Sequence, residues 1–154
     1  AAYAAKLERD EDHGAPWDEE CGHGEVTGWE TRDKRPGEMV LSEDRRAKRF
    51  YNFAGAVNLA KRDGWNAAPH FPPGEETKGQ RAHKAALADY NRLRAWCNGD
   101  WCYVGVIVAP IRPCGDEVND DEAQSLWGIE SDAGEYLFEV AQDMAEEIAS
   151  AAVA

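Results

Sequence analysis

Apolar residues along this chain recur with two different periods, and the changes of period mark the predicted elements. Tyr3, Ala5 and Leu7 alternate with Ala4, Lys6 and Glu8, the period-two pattern of a strand. Residues 10–36 show no periodicity and hold Gly14, Pro16, Gly22, Gly24, Gly28 and Pro36, so they are expected to form a long irregular loop that works in function or in packing. Met39, Val40 and Leu41 read as a short strand closing that region.

A helix is expected to begin at Ser42 or Asp44, because either side chain can accept from the free backbone donors of a first turn. Phe50, Phe53, Ala54, Val57 and Ala60 supply its apolar stripe, and Gly64 with Trp65 suits a Schellman close. Residues 67–76, rich in proline, read as a loop. Thr77 to Gln80 fits a capping box, followed by the stripe Ala82, Ala86, Tyr90, Leu93 and Cys97, and Asn98-Gly99 stops that helix. Residues 44–97 are therefore predicted to be a basic pair of helices.

Trp101 to Ile111 is the clearest strand. Val104, Val106 and Val108 point one way and Tyr103 and Ile107 the other, so both faces are apolar and a central place in a sheet is expected. Pro110 and Pro113 close it, an acidic loop follows, and Ser125 to Glu130 reads as a second strand, making a β-hairpin over 101–130. Asp132 and Glu135 open a last helix over 132–152, with Leu137, Val140, Ala141, Met144 and Ile148 as its core stripe. The expected architecture is one α+β domain over 1–154, three helices packed on a small, mostly antiparallel sheet.

Composition sharpens this picture through charge. The 154 residues carry a net charge of −13. Residues 1–43 hold 5 Lys+Arg against 12 Asp+Glu, residues 44–97 hold 11 against 5, and residues 98–154 hold 1 against 13. Such sorting speaks to partners and association rates rather than to fold. Duplex DNA and anionic membranes are repelled by most of this surface, and basic proteins are attracted. With a mean hydropathy of −0.67 and no apolar run near the roughly 18 residues of a membrane span, no membrane segment is expected. The first residues carry no signal-peptide pattern, so Cys21, Cys97, Cys102 and Cys114 are expected to be free thiols in a reducing cytoplasm.

Three constellations carry candidate chemistry. His13, Cys21 and His23 are zinc-type ligands within the irregular segment, with Asp12 or Asp18 as an oxygen ligand, although one Cys-x-His pair lacks the paired spacing of a zinc finger. The same histidines with Asp12 would suit general acid–base catalysis, but no nucleophile motif or phosphate loop accompanies them. Histidines capping turns beside a small cysteine would read the same way. Arg45, Arg46, Lys48 and Arg49, with Arg81, Lys84, Arg92 and Arg94, could contact phosphates beside Phe50, Tyr51 and Trp96. The net charge weighs against direct nucleic-acid binding and favours pairing of these residues with the acidic arms.

The third constellation is acidic: Asp116, Glu117, Asp120, Asp121 and Glu122 in the loop, then Glu139, Asp143, Glu146 and Glu147 on the outer face of the last helix. Like charges three and four residues apart repel along a helix, so local stability does not explain that face; solubility or a basic partner does. Spaced carboxylates on a rigid helix imitate a run of phosphates. The loop lacks the glycine and spacing of a calcium-binding EF-hand. A homodimer is compatible with the pattern.

Four stretches, Asp10 to Asp18, Asp33 to Glu38, Trp101 to Val106 and Ser125 to Asp132, resemble a family of small acidic proteins encoded by bacteriophages and prophages of Gram-negative bacteria. The resemblance brings no catalytic residues with it. It implies a phage accessory protein in the cytoplasm of the bacterial host, and by analogy of size and charge one that disables a host nucleic-acid-handling system in the anti-CRISPR or anti-restriction manner; apart from zinc at His13, Cys21 and His23, no cofactor is expected.

Overall fold

The computed structural model describes residues 2–65, 76–115 and 117–153. Its contacts sort into two compact units, one of residues 1–13 with 101–154 and one of residues 14–100. Among the described residues the fold is α+β, with four helices and two antiparallel sheets of three and two strands. The expectation of three helices on one sheet holds only roughly.

In the first unit, β1 (Tyr3–Arg9), β4 (Tyr103–Pro110) and β5 (Gln124–Glu130) form an antiparallel sheet in the order β1-β4-β5. β4 is central, as its two apolar faces require. It pairs Leu7 with Val106 on one side and Ile129 with Val104 on the other, with a bulge between Val104 and Val106. The helix α4 (Glu135–Val153) lays Val140, Met144 and Ile148 across Val104, Val106, Val108 and Ile129. Those helix positions are four apart, so one face is buried and the opposite face is left to solvent. Asp10 ties the end of β1 to β5 by accepting from the Gly128 N–H at 3.0 Å. A short 3-10 turn, Asp120–Glu122, interrupts the β4–β5 connection.

In the second unit, β2 (Glu38–Asp44) and β3 (Ala47–Asn52) form a hairpin that continues into α2 (Phe53–Asp63), after which comes α3 (Lys78–Cys97). The helix expected from Ser42 or Asp44 is thus a hairpin as far as Asn52, and the basic helical pair shrinks to residues 53–97. Tertiary pairing is the reason. β3 is bonded on both edges: to β2, and through the bridges Val26–Tyr51 and Glu30–Lys48 to the segment read as irregular. Phe50 and Tyr51, neighbours on opposite faces, are both fully buried, as a strand covered on two sides permits and a surface helix does not. Phe50 and Phe53, three apart, mimic a helical stripe while belonging to different elements.

Asn52 then caps α2 by accepting from the Gly55 N–H, and Gly64 closes the helix with φ 70°. Thr77 and Gln80 form the expected capping box of α3. The two helices meet through Ala56, Ala60, Ala82, Ala85 and Ala86, all buried, whose small side chains let the backbones approach closely. The region 10–36 is not wholly irregular, since α1 (Pro16–Glu19) starts on a proline suited to a first helical turn. The predicted loop over 67–76 lies almost entirely outside the described residues.

Candidate functional site

The charge sorts by unit. Residues 1–13 and 101–154 hold 3 Lys+Arg against 16 Asp+Glu, a net of −13, and residues 14–100 hold 14 against 14, a net of 0. The whole excess of the chain therefore belongs to the first unit. On α4, Glu139, Asp143, Glu146 and Glu147 are all exposed, opposite the buried stripe of Val140, Met144 and Ile148. Among the described residues none of the four has an ion-pair partner. Helical spacing of four, three and one places them on one side of the helix.

The acidic loop is a second exposed group of carboxylates in the same unit. Asp120, Asp121 and Glu122 are exposed on the 3-10 turn, and Glu122 lines a shallow cavity of about 320 Å³ with Gln124, Ile148, Ala151 and Ala152. Glu122 thus borders the C-terminal part of α4 on the side of Ile148, away from the carboxylates of that helix. Glu117 is exposed and 3.8 Å from Arg112. Asp116 lies outside the described residues.

The residues of the proposed metal centre divide between the two units. His13 belongs to the first unit and stacks on Tyr103 with ring centroids 3.6 Å apart. Cys21 and His23 belong to the second, Cys21 exposed and His23 bonded elsewhere. Among the described residues no group of three His, Cys, Asp or Glu is placed to hold a metal. All four cysteines are free.

His23 instead joins a polar knot around Asp89. On α3, Asp89 faces His23 Nδ1 at 2.6 Å with one carboxylate oxygen. The other accepts from the Tyr51 hydroxyl at 2.6 Å and from the Gly24 N–H at 2.8 Å. The Glu20 carboxylate stands 3.5 Å from His23 Nε2. The hydrogen bond to Asp89 raises the His23 pKa above its ordinary 6.5, against the opposing effect of burial, and the charges of Asp89 and Glu20 add to the rise. Burial, then Asp89, pushes the Tyr51 hydroxyl far above its ordinary range. Gly24 is required here, since a Cβ would stand 2.6 Å from the Tyr51 ring. The knot pins the segment 20–24 to β3 and α3. It places the carboxylates of Asp89 and Glu20 on the imidazole, with the Tyr51 phenol on the other oxygen of Asp89.

The candidate phosphate-binding residues are largely committed within their own unit. The Arg49 guanidinium lies over Trp29 at 4.5 Å and Trp17 at 5.2 Å. Arg94 donates to the Val40 carbonyl at 3.0 Å and to the Tyr90 hydroxyl at 2.7 Å, and Lys84 pairs with Glu76. Arg32, overlooked in the sequence, grips Glu38 with two bonds of 2.8 Å and holds its carboxyl down at about 2. Arg45 and Arg46 sit exposed at the hairpin turn.

Scans against protein-family models, curated proteins and solved structures each found no match. No described helix is long and apolar enough to cross a membrane.

Proposed function

We propose that this protein is a non-enzymatic binding protein whose acidic unit docks on a basic, nucleic-acid-binding surface of a partner protein. One observation carries the reading. The full net charge of −13 resides in one unit, and its exposed carboxylates at Glu139, Asp143, Glu146 and Glu147 and on the 3-10 turn have no ion-pair partner among the described residues. A carboxylate that neutralises no neighbour keeps its field for a partner, and a basic groove releases its counterions on meeting either a phosphate run or this face. The resemblance to small acidic phage proteins sets the partner class as a host nucleic-acid-handling system, of the kind blocked by anti-CRISPR and anti-restriction proteins.

The test is capture of partners from nuclease-treated bacterial lysate at low and high salt, with the intact chain and with a variant carrying Glu139→Lys, Asp143→Lys and Glu146→Lys. A nucleic-acid-handling protein held at low salt, released at high salt and lost by the variant is expected. Binding that survives the triple reversal with an unchanged circular dichroism spectrum would refute the reading.

A further inference from the structure

The first unit has an open sheet edge beside an apolar groove. Among the described residues β1 pairs only with β4, so no described strand bonds its other side. The Ile111 N–H bonds the Ala2 carbonyl and the Asp10 N–H bonds the Tyr103 carbonyl. With the register Ala4–Ala109, Lys6–Ile107 and Glu8–Gly105, the even-numbered residues direct their backbone groups at β4. The N–H and C=O groups of Tyr3, Ala5, Leu7 and Arg9 therefore face the open side, where no described strand meets them. Natural proteins usually blunt such an edge with charge. Here Lys6 pairs with Glu8 at 3.1 Å and Arg9 lies 3.9 Å from Glu11, so the edge carries little net charge of its own.

On the α4 face, next to that edge, lies a groove of about 190 Å³ walled by the apolar Ala5, Leu7, Val106, Leu137, Phe138 and Ala141, with Lys6 also at its lining. Two of these walls are apolar side chains that folding has not covered: Leu7 is 53% exposed and Phe138 77%. Phe138 is among the most exposed large apolar side chains described, and such exposure adds nothing to solubility. Outward backbone donors and acceptors in a row, with one apolar groove beside Ala5 and Leu7, match what an incoming strand needs.

We propose that this edge binds an extended segment of a basic partner protein, added as a fourth strand outside β1, with an apolar side chain seated between Leu7 and Phe138. Main-chain bonds to Ala5 and Leu7 hold it and the groove selects its alternate side chains. Charge decides the occupant. A second copy of this chain would bring together two units of −13, whereas a lysine- or arginine-bearing segment meets the opposite sign. That choice of a basic partner rests on the acidic-surface reading above; the open edge and the groove do not.

The experiment selects short peptides from a random displayed library on the full chain and measures the enriched ones by fluorescence anisotropy. Expected are peptides with apolar residues at alternate positions and Lys or Arg between or beside them. Ala5→Pro removes one outward donor without touching the ladder to β4, and Phe138→Ser empties the groove. Each is expected to weaken binding by about tenfold or more with the circular dichroism spectrum retained. Enrichment without alternation, no enrichment, or affinity indifferent to both variants overturns the proposal. So does a dimer in sedimentation equilibrium that Ala5→Pro dissociates, which would make the second copy the occupant. A lysate partner lost on the α4 charge reversal but held by both edge variants removes the edge proposal alone. Peptides lost on Ala5→Pro but indifferent to salt and to the reversal keep the edge and remove the acidic-surface reading.

Discussion

Replacing Asp89 by alanine strands three groups at once. The Tyr51 hydroxyl, the Gly24 N–H and His23 Nδ1 all lose their acceptor. A buried polar group left without a partner costs about 1–3 kcal/mol. Tyr51 is fully buried and its hydroxyl is left to donate over a long 3.4 Å contact to the Ala86 carbonyl, Gly24 is buried, and His23 retains some access to water. The sum is about 3–5 kcal/mol, a large share of the 5–15 kcal/mol that ordinarily holds a domain together. Tyr51→Phe removes one donor and leaves Asp89 two others, so about 1 kcal/mol is expected. Urea unfolding followed by tryptophan fluorescence measures both, since Trp17, Trp65 and Trp96 are half-buried in this unit.

The pH dependence adds a second check on the same knot. The folded pKa of His23 lies above its ordinary 6.5, so its ion pair with Asp89 stabilises fully below about pH 6.5 and is lost as pH rises through the folded pKa. Asp89→Asn keeps an acceptor for Tyr51 and Gly24 but removes the charge, and it should flatten that slope. An Asp89→Ala cost no larger than that of Tyr51→Phe, or identical slopes for the native chain and Asp89→Asn, would refute the reasoning.

Gly24→Ala forces a methyl against the Tyr51 ring, which Asp89 and complete burial hold in place; a loss of about 1–3 kcal/mol in urea unfolding is expected. Asp143→Lys turns three like-charge neighbours on α4, at Glu139, Glu146 and Glu147, into attractive ones, so the chain should gain roughly 1 kcal/mol in stability while losing its salt-sensitive partner. Stability and binding moving together would argue that the stripe serves folding. Asn52→Ala removes the cap on α2 and should cost about 1 kcal/mol, read as a lowered midpoint of thermal unfolding.

Where neighbours in sequence are also neighbours in space, the sequence was sufficient. β4 and its central position follow from apolar residues on both faces between Tyr103 and Ile111. The stripe of α4 at Val140, Met144 and Ile148 and the capping box at Thr77 follow from spacing alone. So do the exposed carboxylates opposite that stripe, because a helix that buries one face must expose the other.

Tertiary structure decided what depends on long closures of the chain. Whether residues 44–52 coil or extend was settled by residues 25–30, which bond along the far edge of β3, some 20 positions away. The Asp89 knot draws groups 38 to 66 residues apart, and no local signal marks Asp89 or Tyr51 as partners of His23. His13 and His23, ten apart in sequence, fall in different units because β1 is claimed by β4 while the segment after Gly14 packs on β3 and α3. The three charge blocks of the sequence become one acidic and one neutral unit for the same reason. Composition counts charges along a line, but a charge acts on whatever the fold places within a few ångströms of it.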